Sequence, residues 1–289
     1  MKKTTHEQTK LHNMRLILRT IYEAGTISRA DVARITKLTP TTVSDLVEVL
    51  LADGMVNEVG LGVSVGGKPP TLISVPSESR FAIGIDLADN GIHGSLINLR
   101  GEIKYTASLP GNQVGDAALQ QINTLVAQLM EQVDRKQLLG IGLGSPGVVS
   151  FEEGVVRRAV KYQWKEIPLR SLLQDKFGVP VFIANDSQVA ALAEYIYGVD
   201  PNEKNLVLLK VGEGISAGLI IDGKIFFGDG DGAGEVGHIC VEPGGLLCRC
   251  GHIGCLETVA SLRALAQMTR EILPGSDGLT NELLLEKLV

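Results

Sequence analysis

The stretch from His238 to Glu257 reads "HICVEPGGLLCRCGHIGCLE" and contains every cysteine of a 289-residue chain. Its four thiols lie within sixteen positions, at Cys240, Cys248, Cys250 and Cys255. The N-terminus has no apolar segment typical of a signal peptide, and no apolar run is long enough to span a bilayer. We therefore expect a cytoplasmic protein with no membrane partner. In the reducing cytoplasm, clustered cysteines are more often metal ligands or nucleophiles than disulfides.

A structural zinc ion is the occupant that this cluster predicts. Zinc prefers four nitrogen or sulfur ligands in a tetrahedron. The last three cysteines form a C-x-C-x4-C pattern on a tight, glycine-containing turn and supply three thiolates. By spacing, the fourth ligand is His238, Cys240 or His252. Because such a site is closed by protein ligands, we expect a structural Zn²⁺ and not a catalytic one. The alternative is a set of buried thiols or a redox pair.

Charge is distributed unevenly along the chain. Residues 1–44 carry eight Lys or Arg against three Asp or Glu, a net charge of +5, although the whole chain has a net charge of −6. A basic head on an acidic body indicates a polyanion partner for the head. The alternative is a solvated basic face without a partner.

The basic head has the pattern of a winged helix-turn-helix. Residues 12–25, "HNMRLILRTIYEAG", place apolar side chains on one helical stripe. Ser28 with Asp31 is a capping-box pattern that starts a second helix, and Thr39 before Pro40 starts a third. Two strand-like runs, "MVNEV" and "TLISV", follow the third helix and form the hairpin of a wing.

The third helix is the predicted DNA-recognition element. The hydroxyls of Thr41, Thr42 and Ser44 would face bases or phosphates of a double-stranded operator. Arg29 would hold the DNA backbone, and Lys68 would reach a minor groove from the wing. The alternative is a three-helix interaction module that binds no DNA; the charge asymmetry favours DNA.

From residue 81 onward the pattern becomes that of an α/β body. Three consecutive strands precede an amphipathic helix, and "LLGIGLGSPGVVS" is a buried strand that enters a glycine-rich loop. A further strand ends at Asn185 and Asp186 before a helix. Strand ends are where α/β proteins place ligands, so these turns are the candidate site.

Four motifs together resemble the ROK family of repressors and sugar kinases: "GLGSPG", "ANDSQVAALAE", "GEGISAGLIIDGKIFFGDGDGAGEVGH" and "CRCGHIGCLE". The N-terminal winged helix is similar to its repressor branch, which contains N-acetylglucosamine and xylose repressors. The resemblance implies an α/β fold with a hexokinase/actin-like (ribonuclease H-like), two-lobed ROK domain that is C-terminally short. We expect a winged helix over residues 1–78 and the ROK domain over residues 79–289, with lobes of about 79–195 and 196–289.

The family pattern also assigns the site residues. It identifies the histidine of "GEVGH", His238, as the fourth zinc ligand beside Cys248, Cys250 and Cys255. It places a sugar against five positions of this chain: Asn185, Asp186, Glu235, His238 and Glu257. The glycine-rich loop that ends at Gly147 would let the backbone approach the sugar ring closely, so Gly147 is the sixth predicted sugar-binding residue. In the kinases of the family the aspartate at position 186 is the general base. In this chain we expect Asp186 to be a vestigial base, and we assign no catalytic residue. The reason is the set of departures from the kinase pattern described next.

Two departures from the family pattern bear on function. The asparagine of the family's "NxxW" motif, which touches the sugar, is replaced by Lys161. We expect an altered ligand, such as one with an acidic group, or an emptied pocket. The phosphate loop of the kinases reads "DxGGTK", whereas this chain has Ala88, Asp89 and Asn90 after its aspartate, and Glu213 stands where kinases have threonine. Added negative charge disfavours ATP, so we do not expect an enzyme.

Three functions remain as hypotheses. The first is a sugar-responsive transcription regulator of carbohydrate metabolism, such as a repressor, that binds DNA as a homodimer or homotetramer. The second is an ATP-dependent, glucokinase-like sugar kinase with a DNA-binding head. The third is a truncated, ligand-silent DNA-binding protein, since the sequence stops at an amphipathic helix whose apolar surface would include Leu283, Leu284, Leu285 and Leu288.

Overall fold

The computed structural model describes most of the chain. Three sequence-based predictions fall outside the described residues: the minor-groove contact of Lys68, the repulsive charge of Asp89, and the apolar face at Leu283–Leu285. The described residues are 6–63, 69–88, 90–200 and 202–272.

The chain divides into two compact units. The first contains the N-terminal helices and their wing, together with two short segments from later in the chain, and the second contains the remainder of the α/β body. The first unit comprises residues 1–82, 97–104 and 135–138, and the second comprises residues 83–96, 105–134 and 139–289.

The three predicted helices of the head are confirmed. They are α1 (His6–Ala24), α2 (Arg29–Thr36) and α3 (Pro40–Ala52). The side chain of Ser28 accepts a hydrogen bond from the backbone N–H of Asp31, which satisfies one of the free donors at the start of α2. Thr39 caps α3 through the N–H of Thr42 in the same way. The predicted helix starts therefore follow from cap chemistry.

The wing is a small antiparallel sheet. Its strands are β1 (Ile27–Ser28), β2 (Asn57–Leu61) and β3 (Thr71–Ser74), in the order β1-β3-β2. The sequence predicted β2 and β3 but not β1, because two residues carry no periodicity. Ile73 is fully buried and packs with apolar side chains of all three helices in one core.

A five-stranded sheet organises the body. Its strands are β4 (Phe81–Ala88), β5 (Gly91–Asn98), β6 (Ile103–Leu109), β7 (Leu138–Ser145) and β11 (Val181–Asn185), in the order β11-β7-β4-β5-β6. Strand β11 is parallel to β7, with Asn185 opposite Ser145. Because parallel strands end at the same edge, the loops after β7 and β11 meet there.

Two small sheets and five helices complete the described body. The sheets are β8 (Val148–Ser150), β9 (Val155–Ala159) and β10 (Trp164–Ile167), in the order β10-β9-β8, and β12 (Leu206–Val211), β13 (Ile215–Ile221) and β14 (Lys224–Ile225), in the order β12-β13-β14. The helices are α4 (Gly115–Met130), α5 (Leu169–Phe177), α6 (Asp186–Tyr197), α7 (Glu257–Ala260) and α8 (Leu262–Ile272). Short 3₁₀ turns cover Arg135–Gln137, Asp229–Asp231 and Val236–His238. None of the helices in the described ranges combines the length and apolar character that a membrane span requires.

Candidate functional site

A cleft lies where the strand ends of the body converge. It is lined by the β7–β8 turn, the end of β9, the β11–α6 junction, the β12–β13 turn and the segment that carries the cysteines. All six predicted sugar-binding residues line this cleft: Gly147, Asn185, Asp186, Glu235, His238 and Glu257. The structure therefore brings together side chains that are up to 110 positions apart in the sequence.

The floor of the cleft is fixed by Asn185, which is 7% exposed. Its Oδ1 accepts hydrogen bonds from the N–H groups of Ser187 and Gln188, and its Nδ2 donates to the carbonyl of Gly147 at 2.9 Å. Asn185 is thus the N-cap of α6, a role that the sequence analysis did not give it. The second Nδ2 hydrogen is the one left for a ligand hydroxyl.

Gly147 is required by the backbone at this turn. Its φ of +87° is disfavoured for other residues, and a Cβ here would lie 2.1 Å from the carbonyl oxygen of Arg158. The turn therefore approaches β9 more closely than a residue with a Cβ would allow.

Asp186 is the first residue of α6, and both of its carboxylate oxygens have partners. Oδ1 accepts from the N–H of Ser187 at 2.9 Å, and Oδ2 lies 2.5 Å from Nζ of Lys210 on β12. The Asp186 side chain is 13% exposed. A half-buried carboxylate beside an ammonium is a charge-assisted pair, so this aspartate is held in place before any ligand arrives.

Glu235 and His238 flank a short 3₁₀ turn on the opposite wall. Their side chains face each other, with Oε2 of Glu235 3.6 Å from Nε2 of His238. Burial raises the pKa of the Glu235 carboxyl, His238 opposes this shift, and the carboxylates of Asp186 and Glu257 add to it. A carboxyl with raised proton affinity and an imidazole together offer donors and acceptors that match sugar hydroxyls.

Glu257 is the most deeply buried charge of the site, at 2% exposure. Its oxygens lie 2.7 Å from Nε of Arg249 and 3.3 Å from Arg263, and Oε2 also accepts from the N–H of Ile215 at 3.1 Å. These contacts join the cysteine segment, β13 and α8. Glu257 is therefore a structural anchor as well as a lining residue.

Four ligand atoms of the cysteine segment converge beside the cleft. The Sγ atoms of Cys248, Cys250 and Cys255 and a ring nitrogen of His238 all lie within 4.8 Å of one another. The Nδ1 of His238 is 3.6 Å from the sulfur of Cys248, so its other nitrogen remains directed to Glu235. The four cysteines form no disulfide, and Cys248 and Cys255 are buried. This donor set suits a tetrahedral zinc ion.

The two other candidates for the fourth ligand lie outside this group. Nδ1 of His252 reaches Cys250 alone among the thiols, at 3.4 Å. Cys240 is exposed, and its backbone pairs with that of Cys255. Spacing alone left these residues open, whereas the folded loop selects His238 for the cluster.

The predicted DNA-contacting residues differ in their surroundings. Thr41 is exposed at the start of α3, while Thr42 and Ser44 are half-buried. Arg29 bridges two carboxylates of its own unit, with NH2 2.9 Å from Glu48 and NH1 3.1 Å from Glu58. The guanidinium thus ties α2 to α3 and to the wing, a role that the sequence analysis did not foresee, and a phosphate contact by Arg29 remains a prediction.

Sequence reasoning missed two residues of the site, Lys210 and Arg249. Lys210 lies in an apolar strand pattern, and its charge there was the available signal, since strands with buried faces rarely carry lysine. Arg249 stands between two cysteines and was overlooked as a spacer. Both are positioned by partners elsewhere in the chain, so spacing could not reveal their contacts.

Two different family profiles match the head and the body of the chain. The ROK family profile matches residues 82–286. A winged helix-turn-helix DNA-binding profile matches residues 11–57. Each profile matches a segment inside one of the two predicted domains, 1–78 and 79–289, and the boundaries of these domains stay predictions.

The similar proteins include both regulators and kinases. The xylose repressor of Caldicellulosiruptor bescii is 37% identical over 92% of this chain and 68% of its own length. A ROK transcriptional regulator, described as a homolog of the Escherichia coli MLC protein, superposes with a TM-score of 0.75 at 26% identity, over 91% of this chain and 68% of that one. A ROK glucokinase from Streptomyces griseus, solved with glucose and AMPPNP, gives 0.61 at 31% identity over 66% and 60%. The chain thus spans about two thirds of the length of its regulator relatives.

Proposed function

Because this chain belongs to the ROK family, we propose that it is a sugar-responsive, DNA-binding transcriptional regulator, acting as a repressor of carbohydrate-utilisation genes. The observation that carries the proposal is a capped helix-turn-helix with its wing, in one chain with a cleft lined by carboxylate, amide and imidazole side chains. A relative that carries both parts is named a xylose repressor. The head would bind an operator, and the cleft would bind the effector.

The proposed DNA contact is made by the leading turn of α3. Thr39 caps this turn, and the side chain of Thr41 is exposed in it, so the Thr41 hydroxyl is available to a base or a phosphate. Basic residues of the first 44 positions would add the salt-dependent phosphate attraction. A homodimer would place two such helices in successive major grooves of a pseudo-palindrome.

Replacing Thr41 and Ser44 by alanine should weaken specific DNA binding with the fold intact. Each lost base or phosphate contact costs about 1–3 kcal/mol, so the double variant should bind a duplex selected from a random-sequence library at least tenfold more weakly. Fluorescence anisotropy at fixed salt measures this. Thr124→Ala, an exposed threonine on α4, is the matched control and should bind normally. Equal affinity of both variants would exclude α3 as the reading helix.

The cleft would hold the effector through four kinds of group. Glu235 and His238 serve hydroxyls on one wall, Asp186 accepts on the other, and the turn at Gly147 supplies backbone groups. Polyols need such convergent groups because each buried hydroxyl must be paired. Asn185 and Glu257 act mainly by holding these groups in position.

A structural zinc ion would be held by His238, Cys248, Cys250 and Cys255. A zinc ion bound there would act as a structural metal and hold the segment from His238 to Cys255 in one conformation. His238 would then serve two purposes, since Nδ1 faces the thiols and Nε2 faces Glu235. The orientation of the His238 ring toward the sugar would therefore depend on the segment that holds the metal.

The glycine-rich turn between β12 and β13 argues against sugar-kinase activity. It carries Glu213 where the kinases of the family have threonine, and an added negative charge there disfavours the phosphates of ATP. The glucokinase likeness therefore extends to the fold of the body, and we propose a cleft that senses and does not phosphorylate.

Sugar binding would change DNA affinity by stabilising one arrangement of the cleft walls. A ligand shifts such an equilibrium only by its differential affinity for the two states. The walls of the cleft are formed by the ends of β7, β11 and β12 and by the cysteine segment. A ligand that contacts several of these walls at once would favour the arrangement in which they are closest. Regulation of the helix-turn-helix by this closure is the allosteric part of the proposal.

A further inference from the structure

The outward face of α3 carries a carboxylate that the head leaves without a counter-ion. We propose that Asp45 reads the operator by accepting a hydrogen bond from the N4 amino group of a cytosine in the major groove. The inference rests on the proposed function, since it names a base contact of the same helix. It goes further in assigning to α3 a charged reading residue and the base pair that this residue selects.

Asp45 lies on the same side of α3 as Thr41. Side chains four positions apart on a helix are neighbours on one face, and both of these side chains are exposed. Asp45 is in the second turn of a helix that begins at Pro40. In helix-turn-helix proteins the N-terminal residues of the recognition helix contact the base edges. Asp45 therefore occupies a position from which a side chain can read a base.

The other acidic residues of the helices and the wing are each paired with an arginine. Residues 8–75 contain six acidic side chains, and five of them lie within 3.1 Å of a guanidinium nitrogen. The pairs are Arg19–Glu23, Arg29–Glu48, Arg29–Glu58, Arg34–Asp31 and Arg80–Asp53. The sixth is Asp45, whose carboxylate forms no hydrogen bond or ion pair within the part of the chain that the structure describes.

Glu48, three positions further along α3, shows the contrast. Its carboxylate lies 2.9 Å from NH2 of Arg29, so an arginine of the head neutralises its charge. Helix α3 contains no lysine or arginine of its own. The charge that α3 presents without compensation is therefore the negative charge of Asp45.

An unpaired carboxylate in a DNA groove needs a hydrogen-bond donor to offset repulsion by the phosphates. An ionised carboxylate accepts hydrogen bonds but cannot donate them. In the major groove, donors are carried by cytosine N4 and adenine N6, whereas guanine N7 and O6 and thymine O4 are acceptors. Adenine also places its N7 acceptor beside its donor, which repels a carboxylate. Cytosine presents a donor alone, so it is the base that Asp45 selects.

The test compares the base preferences of the full chain and its variants. Duplexes are selected from a random-sequence library, and we expect the selected half-sites to require a C·G pair at one position. Replacing this pair by T·A exchanges the N4 donor for an acceptor. The replacement should weaken binding roughly five- to hundredfold, as one mismatched pair does in specific sites. Fluorescence anisotropy at fixed salt measures each duplex.

Asp45→Asn should change the preference at this position from C·G to A·T. The amide keeps the shape of the side chain and adds a donor, and asparagine pairs with N6 and N7 of adenine. Asp45→Ala should bind the C·G and T·A duplexes with equal affinity. Both variants should keep their unfolding transition, because the side chain is exposed and unpaired.

Asp175→Asn is the matched control. Asp175 is an exposed aspartate on α5, so the substitution removes the same charge from a helix of the body. This variant should select the same sites as the unmodified chain and keep the requirement for C·G.

Two results would overturn the inference and leave the proposed function standing. The selected sites could require no C·G pair, or both Asp45 variants could keep every base preference of the unmodified chain. In the second case, tighter binding of the variants to all duplexes would identify Asp45 as a merely repelling charge. If the chain selects no sequence from the library, the proposed function fails together with the inference.

Discussion

Replacing Cys255 by serine should abolish metal binding and, with it, sugar binding. Cys255 is fully buried in the group formed with His238, Cys248 and Cys250. Structural zinc sites contribute roughly 10–16 kcal/mol in small zinc-binding peptides, so loss of one thiolate should lower zinc occupancy from about one per chain to near zero. Metal analysis of the purified chain and calorimetry with a sugar that binds the unmodified chain measure both effects.

Two neighbouring substitutions control for this result. Cys240→Ser changes an exposed thiol of the same segment, and His252→Ala removes the other imidazole, and both variants should retain zinc. The head should still bind DNA in all three variants, since α1, α2 and α3 have a core of their own. Zinc loss in Cys240→Ser with retention in Cys255→Ser would show that the ligand set is wrong.

The second large effect is expected from Glu257→Gln. The substitution keeps the shape of the side chain but removes the charge that faces Arg249 and Arg263. Glu257 is buried, but Arg249 and Arg263 are each more than a third exposed, so water partly compensates the charges left behind. The cost is therefore that of hydrogen bonds to a charged group, about 1.5–3 kcal/mol. We expect a loss of this size in the free energy of unfolding of the body, measured by urea denaturation followed by tryptophan fluorescence of Trp164.

Glu242→Gln is the matched control for this measurement. Glu242 lies in the same segment but is exposed, so its charge contributes little to stability. We expect a change within about 0.5 kcal/mol for this variant, as for most surface substitutions. If both variants unfold at the same urea concentration, Glu257 is not the anchor that its contacts indicate.

The sequence predicted those features that local chemistry determines. Ser28 with Asp31 and Thr39 with Pro40 marked helix starts, because a cap pairs backbone groups within three residues. The positive φ of Gly147 gives a local reason for a glycine there, whereas its predicted approach to a sugar ring stays a prediction. The resemblance to one family supplied the other five sugar-site residues, and they line one cleft with Gly147.

Contacts between distant segments could not be predicted in this way. Lys210 on β12 meets Asp186 on α6 across 24 positions, and the packing of this helix on this strand sets the distance. Arg29 was assigned to DNA from charge alone, whereas its carboxylate partners lie 19 and 29 positions away. The short strand β1 was missed because its pairing to β3 depends on the tertiary fold and not on local periodicity.

The central claim is that a sugar in the cleft controls DNA binding by the helix-turn-helix. The most direct measurement is the affinity of the full chain for a selected duplex, by fluorescence anisotropy, across a titration of neutral and anionic sugars. Allosteric coupling is typically about 1–3 kcal/mol, or about 5- to 150-fold, so the account predicts a change of that size for the sugar that binds, with a midpoint set by its measured affinity. A DNA affinity that stays the same at saturating concentrations of a bound sugar would contradict it.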